Sequence, residues 1–480
     1  MMPSITQSAQ PGQATLCLAQ VSPRDIGGGA ERIALDLHQA YRAQGVDSYL
    51  VVGTQQRLAA DVFALPSLAQ KSGAWTRTWL QQAQRLEDAT WPGSWRLRRW
   101  AHSLATPRKQ WAAWRGWEDM HHPGSADLLR LPPCRPDLLH LHNLHGGYFD
   151  LRALRWLSAQ VPLLLTLHDE WLLTGHCGYS INCERWRTGC GHCPDLKRYP
   201  AVQRDATAFN WRRKQQIYAR SRLVVATPSA WLMERVRASI LMAGVIETRV
   251  IPNGVDLDRF APAEDRRELR QALGLPPDAL ICLFTGQRPR RNSYKDFPTI
   301  YAAFQQFAMQ CQSADRQVVL LILGDEGPPE TLNERAQVRF VPFQSDETSV
   351  ARIYQAADLY LHAARADNFP NVILEALASG LPVIATGVGG IPEQVQSLEP
   401  GSRWVAHSPE AATGWLVETG DSAAMAAAIH HLAQQPSLHA QLARNAVQDA
   451  RQRFSLALSV ERYLQWSAAI VAQETGQAHA

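Results

Sequence analysis

No stretch of the 480 residues holds the ~18 uninterrupted apolar side chains that a membrane span requires. Residues 1–21 lack a basic cluster and hold only a short apolar run, which argues against a secretory signal. Charge of one sign is also scarce. The 48 Lys and Arg stand against 44 Asp and Glu, and a net +4 makes no case for nucleic acid. No internal repeat is visible. A cytoplasmic chain is therefore expected, in a compartment where thiols stay reduced. Its eight cysteines are then free or metal-bound rather than paired.

Apolar residues are abundant at 46 % against 19 % charged, a globular composition. The length exceeds one ordinary core and suggests two domains of roughly 200 residues each. Short apolar runs alternate with helical patterns along the chain. The first half offers strands at 15–21, 48–52, 138–141, 163–167 and 223–226. The second half offers 281–285, 318–323, 339–341, 359–361 and 383–385. Runs that are apolar throughout belong to parallel sheets covered on both faces, and parallel strands need crossovers. The expected fold is α/β, with two doubly wound domains. The first spans 1–252, a linker runs over 253–275, the second spans 276–450, and a terminal helix with a fraying tail fills 451–480.

In the run Asp367-Asn368-Phe369-Pro370-Asn371-Val372-Ile373-Leu374-Glu375, Asn371 reads as the N-cap of a helix ending at Gly380. Such a terminus aims free N–H groups and the positive dipole end at whatever lies above it, a place for phosphate. Glu375 lies one turn further on, where a carboxylate can accept two hydrogen bonds from a ribose diol. The next strand leaves into Gly387-Val388-Gly389-Gly390, where glycines allow close approach to a ligand. Upstream, Gly286-Gln287-Arg288-Pro289-Arg290-Arg291-Asn292-Ser293-Tyr294-Lys295 clusters cations at another strand end. In the first half, Gly27-Gly28-Gly29 follows a strand and opens a helix, without the G-x-G-x-x-G spacing of a dinucleotide site. His168 stands at the tip of the strand that ends Leu165-Thr166-Leu167.

The run from Asp367 to Gly390 resembles the signature of family-four retaining glycosyltransferases, an acidic pair eight residues apart followed by a G-x-P-V-I-A-T strand. Residues 250–256, 321–327 and 343–360 are similar to other segments of that family. The resemblance implies the GT-B architecture, two Rossmann-like domains facing a central cleft. It also implies a glycosyltransferase that needs no cofactor for catalysis. Here the first acid is Asp367 rather than Glu, one methylene shorter, which bears on donor-sugar identity.

The resemblance places Lys295 and Arg288 on the donor diphosphate, with Gln287 filling the usual arginine position. Gly28, Gly29, Phe369, Pro370, Asn371 and Glu375 are placed around the donor, and His168 and Asp367 at the reacting centre. His142 and His145 are assigned to the acceptor side. The implied partners are a nucleoside diphosphate sugar of UDP or GDP type and a glycan or lipid-linked saccharide acceptor. A sugar-nucleotide epimerase, a phosphorylase or a non-catalytic binding protein are the rival readings.

Two segments stand outside these motifs. Cys177, Cys183, Cys190 and Cys193 follow C-x5-C-x6-C-x2-C spacing, and Cys190-Gly191-His192-Cys193 resembles half a zinc knuckle. Similar inserts occur in a subgroup of bacterial polysaccharide and exopolysaccharide glycosyltransferases. Structural zinc and free thiols are both open. Between residues 70 and 120 the chain fills with Trp75, Trp79, Trp91, Trp95, Trp100, Trp111, Trp114 and Trp117 among arginines. Two readings are open for this insert. It rests on an anionic membrane at the inner face of the plasma membrane, or it packs as a helical hairpin on the domain.

Overall fold

The computed structural model describes residues 16–310, 316–398 and 404–478. The first sheet contains β1 (Cys17–Arg24), β2 (Asp47–Thr54), β3 (Val62–Ala64), β4 (Leu138–His142), β5 (Leu163–Thr166), β6 (Leu223–Thr227) and β7 (Val245–Val250). Its order is β3-β2-β1-β4-β5-β6-β7 and all pairs are parallel. The second sheet contains β8 (Leu280–Thr285), β9 (Val318–Leu323), β10 (Glu330–Thr331), β11 (Ala336–Val341), β12 (Leu359–His362), β13 (Val383–Thr386) and β14 (Gly414–Val417). Its order is β10-β11-β9-β8-β12-β13-β14, with only β10 antiparallel.

Both sheets are buried on two faces, which is why their strands read as unbroken apolar runs. In β8, Ile281 and Leu283 join one core while Leu280, Cys282 and Phe284 join the other. In β1, Ala19 and Val21 face one side and Leu18 the other. The strand order reverses between β1 and β4 and again between β8 and β12, so each sheet opens a crevice at its strands' carboxyl ends.

Two features depart from the sequence-based expectations. First, the terminal helix runs from Leu456 to Ala478, over most of the stretch expected to hold a tail. It crosses from the second domain to the first, where Val460, Tyr463, Trp466 and Ile470 pack on Leu18, Ile33 and Tyr41. The Trp466 indole N–H donates to Glu247 at 2.8 Å. Residues 479–480 lie outside the described residues, as do 1–15. Second, Cys17 and Cys134 form a disulfide between the start of β1 and the segment before β4, against the expectation of unpaired thiols. The Trp-rich insert is helical, with helices Ala74–Arg85, Ser94–Ala105 and Pro107–Trp114. The first two are antiparallel, since Trp75 and Thr76 donate to the carbonyls of Leu104 and Ala105. Its indoles divide: Trp75, Trp95 and Trp100 are 62 %, 60 % and 69 % exposed, whereas Trp117 stacks on Phe209 of the domain at 4.4 Å. Among the described residues no helix is long and apolar enough to cross a membrane.

Candidate active site

A cleft of about 570 Å³ lies between the two sheets and is lined from both. The second domain contributes the tip of β8, the segment 366–372 and Glu375, and the first contributes residues 25–32, His168 and Asp169. The helix Asn371–Ala378 begins one residue earlier than its composition suggested. Pro370, with an extended backbone, is the N-cap, and Asn371 is the first helical residue. The Asn371 side chain is thereby free to reach across the cleft. Its amide donates to Gly29 O at 3.2 Å and its oxygen accepts from Asn253 at 2.8 Å. The helix's first N–H groups remain directed at the cleft, as an anion site requires.

Lys295 Nζ lies 2.6 Å from Asp367 Oδ2, and His362 Nε2 lies 3.7 Å from the same oxygen. Burial would raise the Asp367 pKa, but the Lys295 charge and the His362 contact outweigh it and hold the carboxyl well below the usual range. Glu375 is the opposite case. Burial raises its pKa, against a hydrogen bond from Tyr354 and the charge of Arg32.

His168 enters from β5. Burial pushes its pKa down to about 4, so the ring is neutral at ordinary pH. Its Nε2 is 3.1 Å from His142 Nδ1, and His142 Nε2 is 2.8 Å from Gln20 Oε1. That pairing occupies His168 Nε2 and leaves Nδ1 as the ring nitrogen free for a ligand. His142 is fully buried and lines neither this cleft nor the cavity beside it, so it backs His168 instead of facing an acceptor. His145 does face that neighbouring cavity, held by Asp169 at 2.6 Å.

The domains also grip each other at this site. Asn368 donates to His168 O at 3.3 Å and accepts from Ser229 Oγ at 2.7 Å. Glu393 accepts from the N–H groups of Ala230 and Trp231 at 2.7 and 2.8 Å, capping the helix Ala230–Arg237 of the other domain.

The cations differ from the expected set. Gln287 lines the cleft, whereas Arg288 does not; it sits in a left-handed turn at φ 45°. Arg32 and Arg57, which sequence reasoning passed over, line it with Lys295. Arg32 follows the glycine loop by three residues, which was the available signal. It is tied to Asp36 at 2.7 Å and to Glu347, which Arg259 also engages.

The glycines split in role. A Cβ on Gly29 would meet Asn371 at 3.5 Å, so the loop 27–29 closes over the helix start. The turn after β13 does not line the cleft. A Cβ on Gly389, at φ 59°, would lie 1.8 Å from Asp367 O, so that glycine permits close packing behind Asp367. The four insert cysteines are half-buried thiols. Cys190 accepts from Gly175 N–H at 3.3 Å, and Cys193 Sγ is 3.3 Å from His176 Nε2. Among the described residues no three His, Cys, Asp or Glu side chains are gathered where one ion could bind them.

Comparison with known proteins accounts for both halves. Residues 27–259 match the model of Glycosyltransferase Family 4, and residues 265–449 match that of Glycosyl transferases group 1. The colanic acid biosynthesis glycosyl transferase WcaC of Escherichia coli K12, itself so named on inference, is 27 % identical over 54 % of this chain and 62 % of its own. The D-inositol 3-phosphate glycosyltransferase of Actinosynnema mirum is 30 % identical over 59 % of this chain and 68 % of its own. The chain thus spans about two thirds of the length of these relatives. The structure of Anabaena HepE in complex with UDP superposes with a TM-score of 0.56 at 18 % identity, covering 95 % of this chain and 100 % of that one. The fold is GT-B, and the chain belongs to the family-four, group 1 glycosyltransferases.

Proposed function

We propose that the chain is a retaining glycosyltransferase that moves a sugar from a nucleoside diphosphate sugar to a glycan or lipid-linked acceptor in envelope polysaccharide synthesis. One observation carries this reading. Lys295, Asp367, Glu375 and the start of the helix at Asn371 share one cleft, roofed by the glycine loop of the opposite domain. Glu375 takes the ribose. The diphosphate lies between Lys295 and the free N–H groups at Asn371, where charge growing on the leaving group is stabilised. His168 and Asp367 flank the transferred sugar. Closure of the two domains excludes water.

A UDP donor is favoured because HepE has been crystallised with UDP and UDP-glucose. The name of WcaC supports a polysaccharide product and the bacterial polysaccharide subgroup. For retention, the acceptor hydroxyl attacks the face that the diphosphate leaves, and the departing phosphate oxygen takes the proton. The insert's exposed indoles and arginines support contact with an anionic membrane.

The test is a thermal-shift screen against UDP-, GDP- and ADP-sugars, since a bound ligand stabilises by mass action. A shift with one nucleotide, lost in Glu375→Ala, is expected. An undiminished shift in that variant would contradict the assignment.

A further inference from the structure

A second cavity, of about 610 Å³, lies beside the cleft within the first domain. Glu31 lines both spaces, and the His145–Asp169 pair joins them, His145 on one side and Asp169 on the other. The cavity's far wall is the insert: Trp75 and Thr76 from one helix, and Ala105, Arg108 and Lys109 around the next.

Three cations, Arg24, Arg108 and Lys109, line it with two acids, Glu31 and Asp119. Arg24, at the end of β1, and Arg108 line the cavity and have no side-chain hydrogen bond or ion pair with any described residue. Lys109 is only loosely engaged, 3.3 Å from Asp119. Guanidinium groups left without a carboxylate on a cavity wall suit a phosphate, which they can grip with two parallel N–H bonds. Behind that wall the insert presents its exposed Trp95 and Trp100. Residues 71–117 carry nine Lys and Arg against two Asp and Glu. An apolar patch ringed by cations fits the interface of an anionic bilayer.

We propose that this cavity is the acceptor site and that its ligand is a saccharide joined to a lipid through phosphate. Arg24 and Arg108 hold the phosphate. The lipid stays in the bilayer under Trp95 and Trp100, and the sugar reaches past Glu31 into the cleft. The proposal rests on the reading of the cleft as the donor site.

Two measurements on the full chain test it. In the first, dodecyl phosphate below its micelle concentration, inorganic phosphate and UDP are titrated into the chain and into the Arg24→Gln/Arg108→Gln variant. Dodecyl phosphate should bind more tightly than inorganic phosphate, and the variant should weaken it about tenfold or more. UDP affinity should be unchanged. In the second, the chain should sediment with phosphatidylcholine vesicles only when phosphatidylglycerol is present, and Trp95→Ser/Trp100→Ser should abolish this.

Dodecyl phosphate binding that survives the arginine substitutions overturns the proposal. So does sedimentation of the Trp variant equal to that of the unaltered chain. Inorganic phosphate binding as tightly as the alkyl phosphate would refute the lipid-linked ligand. Failure of UDP to bind the unaltered chain would instead strike the donor reading and leave the alkyl phosphate result standing.

Discussion

Lys295 Nζ sits 2.6 Å from Asp367 Oδ2, so the cation best placed for a diphosphate is already neutralised in the free protein. An incoming anion must compete with that carboxylate. Lys295→Met should therefore weaken UDP binding by about 1.5–3 kcal/mol, the worth of a charge-assisted hydrogen bond, or roughly tenfold to 150-fold. Asp367→Asn, which frees Lys295, should bind UDP at least as tightly as the unaltered chain while losing sugar transfer. Calorimetric titration of both variants decides this. Equal weakening in both would show that the pair acts as a structural unit alone.

Glu375 should show a conflict between fold and function. Burial raises its pKa, so the folded chain holds this proton more tightly than the unfolded one. Its contribution to stability is then greatest in acid and falls as pH rises through the raised value. Above that value the ionised carboxylate costs stability. Glu375→Gln is expected to melt at the same temperature or higher, and to lose the additional rise that UDP produces. Melting curves with and without UDP check both halves. A lower melting temperature together with an intact UDP shift would contradict the assignment.

Asp367 carries the opposite sign. Its pKa is depressed by Lys295 and His362 against burial, so it supplies stability above the ordinary carboxylate range and withdraws it as pH falls through the depressed value. Urea unfolding of the unaltered chain should weaken below about pH 4, and Asp367→Asn should flatten that decline. An identical slope in the variant would remove Asp367 from the list of acid-sensitive groups.

Gly389 cannot accept a side chain. Its positive φ alone costs an L-residue roughly 1–2 kcal/mol, and a Cβ would overlap the carbonyl of Asp367. Gly389→Ala should lower unfolding free energy by about 2 kcal/mol or more and displace Asp367. Urea denaturation and transfer rate are the readouts. A fully active variant of unaltered stability would mean that the turn moves freely.

Glu393 caps a helix belonging to the other domain. Its removal should cost about 1–2 kcal/mol, as for a helix cap. Hydrogen exchange should accelerate at the amides of Ala230 and Trp231 in Glu393→Ala. Unchanged exchange there would show that the cap is absent in solution.

How far the molecule could be read beforehand depended on burial. Central strands such as Val318–Leu323 and Leu223–Thr227 lie between two apolar layers and so were written as continuous apolar runs. The strands that escaped notice lie at or near sheet edges, where that pressure is relaxed. Val245–Val250 mixes Glu247 and Arg249 into its run, Glu330–Thr331 is only two residues long, and Gly414–Val417 opens on glycine. At the site, Lys295, Asp367, Glu375 and His168 were legible because each sits at a strand end or helix start within a recognisable motif. Arg288 was misread because no local pattern shows which side of a turn a residue faces. Arg32 was missed because its role depends on an opposing domain whose position no local pattern encodes. His142 was assigned to the wrong side for the same reason: its partner Gln20 is 122 residues away.

The return of the last helix to the first sheet has a consequence for biosynthesis. Trp466 and Ile470 complete the core around Leu18 and Tyr41, so that core stays open until residue 470 has left the ribosome. The amino-terminal half, although translated first, finishes last, and an apolar surface awaits its cover throughout synthesis. Severing the chain between the two sheets would strand that cover on the wrong fragment.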